Sequence, residues 1–233
     1  MKQLAFLLPL IALGGCDFAD CVTANGESVE RTIDLPVITG VETQGSIDVT
    51  ITQGNEQRIV VRGPKEIVDM IRSEVKNGVW SIGTEHCYNT NKAITVEITM
   101  ADLQKAAVAG SGSITGKSLF EPEQIDIEVA GSGDIALEVN AKSVDVDIAG
   151  SGSITLRGTT ADVQVDIAGS GDVHGFDLSA ANGDVDIAGS GNVELTVIEK
   201  LDAEIAGSGD VRYKGRPQVK SDVAGSGSVS GVE

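Results

Sequence analysis

Carboxylates are the most abundant reactive groups in this chain, and they recur at a fixed spacing. Glu128, Asp147, Asp166, Asp186, Glu204 and Asp222 follow one another at intervals of 18 to 20 residues. Asp126, Asp145, Asp184 and Asp202 each stand two residues ahead of a member of that set. If successive units stack in register, each set becomes an outward column with neighbours about 4.8 Å apart. At that distance like charges repel by about 1 kcal/mol even in water. Hard divalent cations prefer carboxylate oxygen, so the column Glu128 to Asp222 is a candidate cation-binding face. The plainer reading is a solvated acidic face that prevents lateral aggregation. The glycine-rich nonapeptide of calcium-binding β-helices is absent, since a period near 19 is not a period of nine.

Other chemistry is sparse. Ser111, Ser132, Ser151, Ser170, Ser190, Ser208 and Ser226 form a second periodic set, and stacked hydroxyls can hydrogen-bond along a rod. A catalytic serine needs a base, and the chain has only His86 and His174. No Gly-x-Ser-x-Gly elbow is present, and His86-Cys87 is too sparse for a zinc site. The Gly-x-Gly segments lead into strand rather than helix, which fails the context that dinucleotide binding requires. A polysaccharide-cleaving β-helix with paired aspartates is the enzyme alternative. Every unit carries carboxylates, however, and aromatic platforms for sugars are few. No catalytic residue and no cofactor is assigned.

The elements that must position these residues follow from a repeat. Ala-Gly-Ser-Gly occurs seven times, starting at Ala109, Ala130, Ala149, Ala168, Ala188, Ala206 and Ala224. Before each copy runs an alternation such as Val144-Asp145-Val146-Asp147-Ile148, the period-two pattern of a half-buried strand. After it come a polar residue and an aliphatic one, as in Asp172-Val173, opening a second short strand. A unit of about 19 residues with two or three short strands reads as one coil of a β-solenoid. The expected fold is therefore all-β: a right-handed parallel β-helix, its interior filled by columns of Val and Ile. Aromatics make up only 3% of the chain, as a narrow aliphatic interior would require. Half of the 29 glycines lie in the seven corners, so the glycine content is architectural rather than a mark of disorder.

The chain divides unevenly. Residues 109–230 hold the regular coils. Residues 30–108 keep strand character without the motif, and Gln44-Gly45-Ser46-Ile47 looks like a decayed corner. Gly63-Pro64 followed by Ile67, Met70 and Ile71 predicts a short helix, and this half reads as atypical first coils with a helical cap. The expected single domain runs over 30–233. Arg212, Lys214, Arg216, Pro217 and Lys220 gather near the far end, either as edge protection or as a docking end for an acidic surface such as a second copy.

The N-terminus reads as an address. Lys2, an apolar run from Leu4 to Leu13 and small residues before Cys16 form a secretory signal over residues 1–15. Leu13-Gly14-Gly15-Cys16 resembles a bacterial lipobox. The resemblance implies cleavage before Cys16 and acylation there, a stable anchor because more than one chain embeds. Asp17 then implies retention at the inner membrane in some bacteria; otherwise the outer membrane is expected. Residues 16–29 are expected as an anchor-proximal linker. Cys21 and Cys87 remain as a candidate disulfide in an oxidising compartment. A net charge of −18 argues against nucleic acid as a partner.

Arg31-Thr32-Ile33, Val79-Trp80-Ser81-Ile82 after a short helix, and the Ala-Gly-Ser-Gly coils together resemble the putative auto-transporter adhesin head domain, also called the GIN domain. The resemblance covers about residues 30–230. It implies a β-helical envelope protein with an adhesin label and no agreed catalytic residues. No translocating barrel accompanies the domain in this sequence, so an autotransporter is not expected. The resulting expectation is a non-enzymatic cell-envelope lipoprotein that binds or scaffolds, held to a membrane by its anchor. Its partner would be an envelope polymer, a surface ligand or a second copy through the C-terminal end. The alternative is a periplasmic scaffold with divalent cations on the acidic face.

Overall fold

A computed structural model describes residues 21–232. The predicted signal peptide, Cys16 and Asp17 lie outside them. The chain is 70% strand and 3% helix, wound as a β-solenoid of about seven turns with parallel bridges about 19 residues apart. The regular part is a stack of parallel strands: Gln124–Gly131, Asp134–Gly150, Ser153–Gly169, Asp172–Gly189 and Asn192–Gly207. Along the straight runs buried inward positions alternate with half-buried or exposed outward ones, and the alternation breaks at the bends, as at Ala161-Asp162 and Ile198-Glu199-Lys200. The core is built of columns such as Val129, Ile148, Ile167, Ile187 and Ile205. Each aliphatic side chain rests on its equivalent one coil away. A β-branched residue, valine or isoleucine, stands at each level of this column and packs the bore.

The corner explains its own sequence. Gly150 has φ +134°, a conformation that L side chains rarely adopt, and a Cβ there would stand 2.3 Å from the carbonyl oxygen of Gly131. The second glycine, Gly152, has no unusual φ, but its Cβ would lie 2.3 Å from Gly133 O and 2.4 Å from Val129 Cγ1. So the first position requires glycine for conformation and approach, and the second for approach alone. Between them the serine N–H bonds down the rod, as Ser151 N does to Gly131 O at 2.8 Å. The serine ladder is thus a backbone ladder. Among the described residues, no hydroxyl of Ser111, Ser132, Ser151, Ser170, Ser190, Ser208 or Ser226 is hydrogen-bonded to another, because these side chains point outward at the bend.

The N-terminal half departs from simple stacking in sequence order. Gly40–Gly45 and Asp48–Gln53 form a coil on which the first regular corner rests: Gly110 stands over Gly45, and Ser111 N donates to Gly45 O at 2.8 Å. On its other side lie Val79–Ile82 and Thr95–Met100, which come later in the chain. Antiparallel strands then close this end. Arg58–Pro64 pairs antiparallel with both Thr95–Met100 and Ser28–Thr32, and Val75–Lys76 makes a hairpin with Val79–Ile82. The helix is short, Lys65–Met70, and buries Ile67 and Val68. Ile71 has already returned to extended backbone. Trp80 is wholly buried, its indole Nε1 donating to Arg72 O at 2.9 Å. Folded structure also begins before residue 30. Cys21 is disulfide-bonded to Cys87, with Cα atoms 4.7 Å apart, and Val22–Thr23 pairs with Tyr88–Asn89.

Candidate functional site

The strand before each corner places its alternate residues outward, and the parallel register stacks them. Glu128 stands beside Asp147, Asp147 beside Asp166, Asp166 beside Asp186, Asp186 beside Glu204, and Glu204 beside Asp222. All six therefore form one uninterrupted column. The carboxylates of Asp147 and Asp186 are pushed above the ordinary aspartate value. Partial burial is the leading cause; repulsion from the stacked and diagonal carboxylates adds to it. At the N-terminal end of the column, Lys105 pairs with Glu128.

The other set behaves differently. Asp126 and Asp145 are adjacent, but Gln164 stands between Asp145 and Asp184. Lys105 precedes Asp126 and Lys220 follows Asp202, so this column carries a cation at each end. Lys220 Nζ reaches the Asp202 carboxylate at 3.0 Å, and that hydrogen bond holds the ammonium above its ordinary pKa.

Two residues past the first column, on the same outward face, lies a row that reasoning from charge alone did not single out. Ala149, Ala168, Ala188, Ala206 and Ala224 are exposed, and with Asp147, Asp166, Asp186, Glu204 and Asp222 they line a shallow trough of about 520 Å³. Its lining is mostly apolar. The signal was present in the motif, because each corner begins with alanine; only the register shows that these methyls share a face with the acids. The trough can offer a ligand two chemistries at once, a flat apolar floor and a row of negative charge, both repeated with each coil. Among the described residues no three or more acidic, histidine or cysteine side chains converge as a metal-ion cage.

The remaining candidates do not converge. His174 sits on the strand after the corner, its Nδ1 3.3 Å from Glu194. His86 lies in the distant turn where Thr84 Oγ1 donates to its carbonyl. Among the described residues, neither histidine hydrogen-bonds to a corner serine. The basic residues near the far end are mostly occupied by the coil beneath. Arg212 pairs with Glu194, and Lys214 Nζ lies 4.6 Å from the centre of the Phe176 ring. No helix among the described residues is long and apolar enough to cross a membrane.

With this geometry in view, residues 38–217 match the family described as putative auto-transporter adhesin, head GIN domain. The chain belongs to that family. Its solenoid also resembles solved structures. A putative adhesin from Bacteroides fragilis is 19% identical, with a TM-score of 0.84 over 91% of this chain and 100% of that one. A putative lipid binding protein from Parabacteroides distasonis is 24% identical, with a TM-score of 0.76 over 92% of this chain and 100% of that one. A putative adhesin from the same species is 23% identical, with a TM-score of 0.73 over 91% and 100%. At these identities the likeness speaks for the fold. The sequence matches no curated protein. Family and fold carry no enzymatic signal, and the adhesin label suggests an envelope or surface location.

Proposed function

We propose that this GIN-family chain is a non-enzymatic, adhesin-type module of the cell envelope, anchored through Cys16, that uses the acid–alanine trough as its binding face. The observation that carries this reading is the trough itself. The same carboxylate and methyl recur at every coil from Asp147–Ala149 onward. A repeating surface of that kind suits a partner with repeating chemistry, such as an envelope polymer with cationic or amide groups and apolar sugar faces. The disulfide fits an exported chain. It also ties the anchor-proximal segment into the first coils, and closing that long loop contributes roughly 4 kcal/mol in the chain-entropy model.

Sedimentation with purified cell-wall sacculi and with extracted surface polysaccharide tests the reading. Ala168→Arg and Ala188→Arg, which fill the floor, should release the protein from whichever polymer retains it, while Ser170→Ala should not. Equal retention of all variants would remove the trough from consideration. Protease shaving of intact cells, with fractionation of inner and outer membranes, separates a surface adhesin from a periplasmic scaffold.

A second reading places divalent cations along the column. Its support is the stacked column itself, whose Asp147 and Asp186 carboxylates are raised by partial burial first and by neighbouring carboxylates second. With no cage of three ligands among the described residues, such cations would form a screening layer. Millimolar calcium should then raise the melting temperature of the wild type more than that of Asp166→Asn. No calcium-dependent shift would end this reading.

A further inference from the structure

The last described coil exposes what the earlier coils bury. The interior column positions Leu201 and Ile205 are 0% and 2% exposed, whereas their equivalents Val219 and Val223 are 40% and 36% exposed. Among the described residues the strand Gln218–Gly225 pairs on one side only, with Asn192–Gly207. Its free edge has a definite polarity. Outward residues of this strand type aim their amides at the preceding coil, as Asp126 N does at Gln104 O and Ser143 N at Glu123 O. Alternate residues of a strand bond to opposite neighbours, so Val219, Ser221 and Val223 aim theirs at the open side.

That polarity restricts what can pair there. In an antiparallel pair, residues directly opposite exchange both backbone hydrogen bonds, or neither, in alternation. A second copy meeting this edge about a two-fold axis must therefore set inward residue against inward residue. Three such registers lie near the middle of the strand. A two-fold at Lys220 puts lysine against lysine, and one at Asp222 puts aspartate against aspartate. A two-fold at Ser221 puts Val219 against Val223, Ser221 against Ser221, and Lys220 against Asp222. That register continues the aliphatic bore and pairs opposite charges where directly opposite side chains interact most closely. Lys220 already reaches Asp202 one coil down, and in this register it also faces Asp222 of the other copy.

We propose that the strand Gln218–Gly225 is a self-complementary interface that joins two copies of this chain end to end, with Ser221 at the two-fold axis. Closed two-fold symmetry is the commonest arrangement of homo-oligomers, and each interface residue then meets its complement on the other copy. The capped ends, where Cys21 enters the fold, face away from each other. The dimer would therefore hold two anchors at opposite ends of a doubled rod. This inference does not depend on the trough, and the two can fail separately.

Ser221→Cys in the full chain tests it directly. Opposed residues of this kind have Cα atoms about 5.5 Å apart, within disulfide reach. Membranes or detergent extracts carrying the variant should give a covalent dimer on non-reducing gels. Wild type and Ser170→Cys, on the flank of the rod, should remain monomeric. Lys220→Asp and Asp222→Lys, each added to Ser221→Cys, should cut the dimer yield severalfold. The two changes together should restore it, since opposite charges again face each other. Circular dichroism of the exposed-site variants checks that the β fold is intact. A folded Ser221→Cys protein that stays monomeric overturns the proposal. So does equal cross-linking of Ser170→Cys, or failure of the charge swap to restore the dimer.

Discussion

Two outward columns flank the Gly-Ser-Gly corner and handle negative charge in opposite ways. On the strand after the corner, the stacked residues run Asp48, Ser113, Asp134, Ser153, Asp172, Asn192, Asp210, Ser228. Each acid there is followed by a neutral donor. Ser113 Oγ donates to Asp48 at 2.8 Å, Asn192 Nδ2 to Asp172 at 2.8 Å and Ser228 Oγ to Asp210 at 2.7 Å. On the strand before the corner, the column Glu128 to Asp222 has six carboxylates and no interruption. At Asp48, Asp172 and Asp210 the first column turns stacking into charge-assisted hydrogen bonds, which hold those coils together. The second leaves stacking repulsive. A solenoid of this sequence can thus build a column in which most acids meet a donor one coil away. It does so on one side of the corner and not on the other, and the unsatisfied side is the one on which the proposed binding face rests.

The largest way to disturb this comparison is to break the corner that sets both registers. Gly169→Ala places a Cβ 2.3 Å from Gly150 O at φ +136°. A loss on the order of 3 kcal/mol or outright unfolding is expected in denaturant titrations. Ser170→Ala, one residue on, should change stability by less than about 0.5 kcal/mol, because its hydroxyl supports nothing. If both changes were equally mild, the corner glycines would not be what holds the columns in step.

A smaller effect exchanges the character of the columns. Asn192→Asp makes the strand after the corner a run of like charges, Asp172 to Asp210, and removes a donor. It should cost about 1 kcal/mol. Asp166→Asn relieves the middle of the uninterrupted column and should stabilise the protein by a few tenths to about 1 kcal/mol. The opposite signs are the prediction; two losses of equal size would mean that the columns do not differ energetically.

The smallest effect is on pH dependence. Asp147 and Asp186 titrate higher in the folded chain than the ordinary aspartate value of 3.8. The folded state then binds more protons than the unfolded one across the interval above 3.8. Stability must fall as pH rises through that interval. The cost is fully present above the raised values and gone below the ordinary one. Asp147→Asn with Asp186→Asn should flatten the curve of melting temperature against pH over that range. Glu123, held below its ordinary value by the Lys142 hydrogen bond, works in the opposite direction and is left in place. A double variant that follows the wild-type curve would show that the uninterrupted column carries no electrostatic cost.

Much of this molecule can be read from residue order. The seven corners, the alternation before each and the polar-aliphatic pair after it determine strand, bend and inward face. A period near 19 then determines that equivalent residues stack. The acid column Glu128 to Asp222 follows from that alone, because a strict repeat maps sequence spacing onto spatial register. The N-terminal half resists such reading for the opposite reason. Without a repeat, nothing in Val79–Ile82 says that it will lie beside Gly40–Gly45, or that Arg58–Pro64 will run antiparallel to Thr95–Met100. Those choices are made by long-range burial of Trp80, Ile67 and Val68, which no local pattern encodes.

Three further features appear only in the folded chain. The exposed alanines gain meaning from sharing a face with the acids. The donors Ser113, Asn192 and Ser228 gain theirs from the carboxylate one coil below. The edge at Val219 to Val223 looks in sequence like any other inward row; it is set apart only because no strand among the described residues covers it. In the regular coils, sequence alone determined which residues face inward and which face out. The tertiary structure decided which charges meet partners, since partnership depends on the neighbour a coil away and not on the neighbour in the chain.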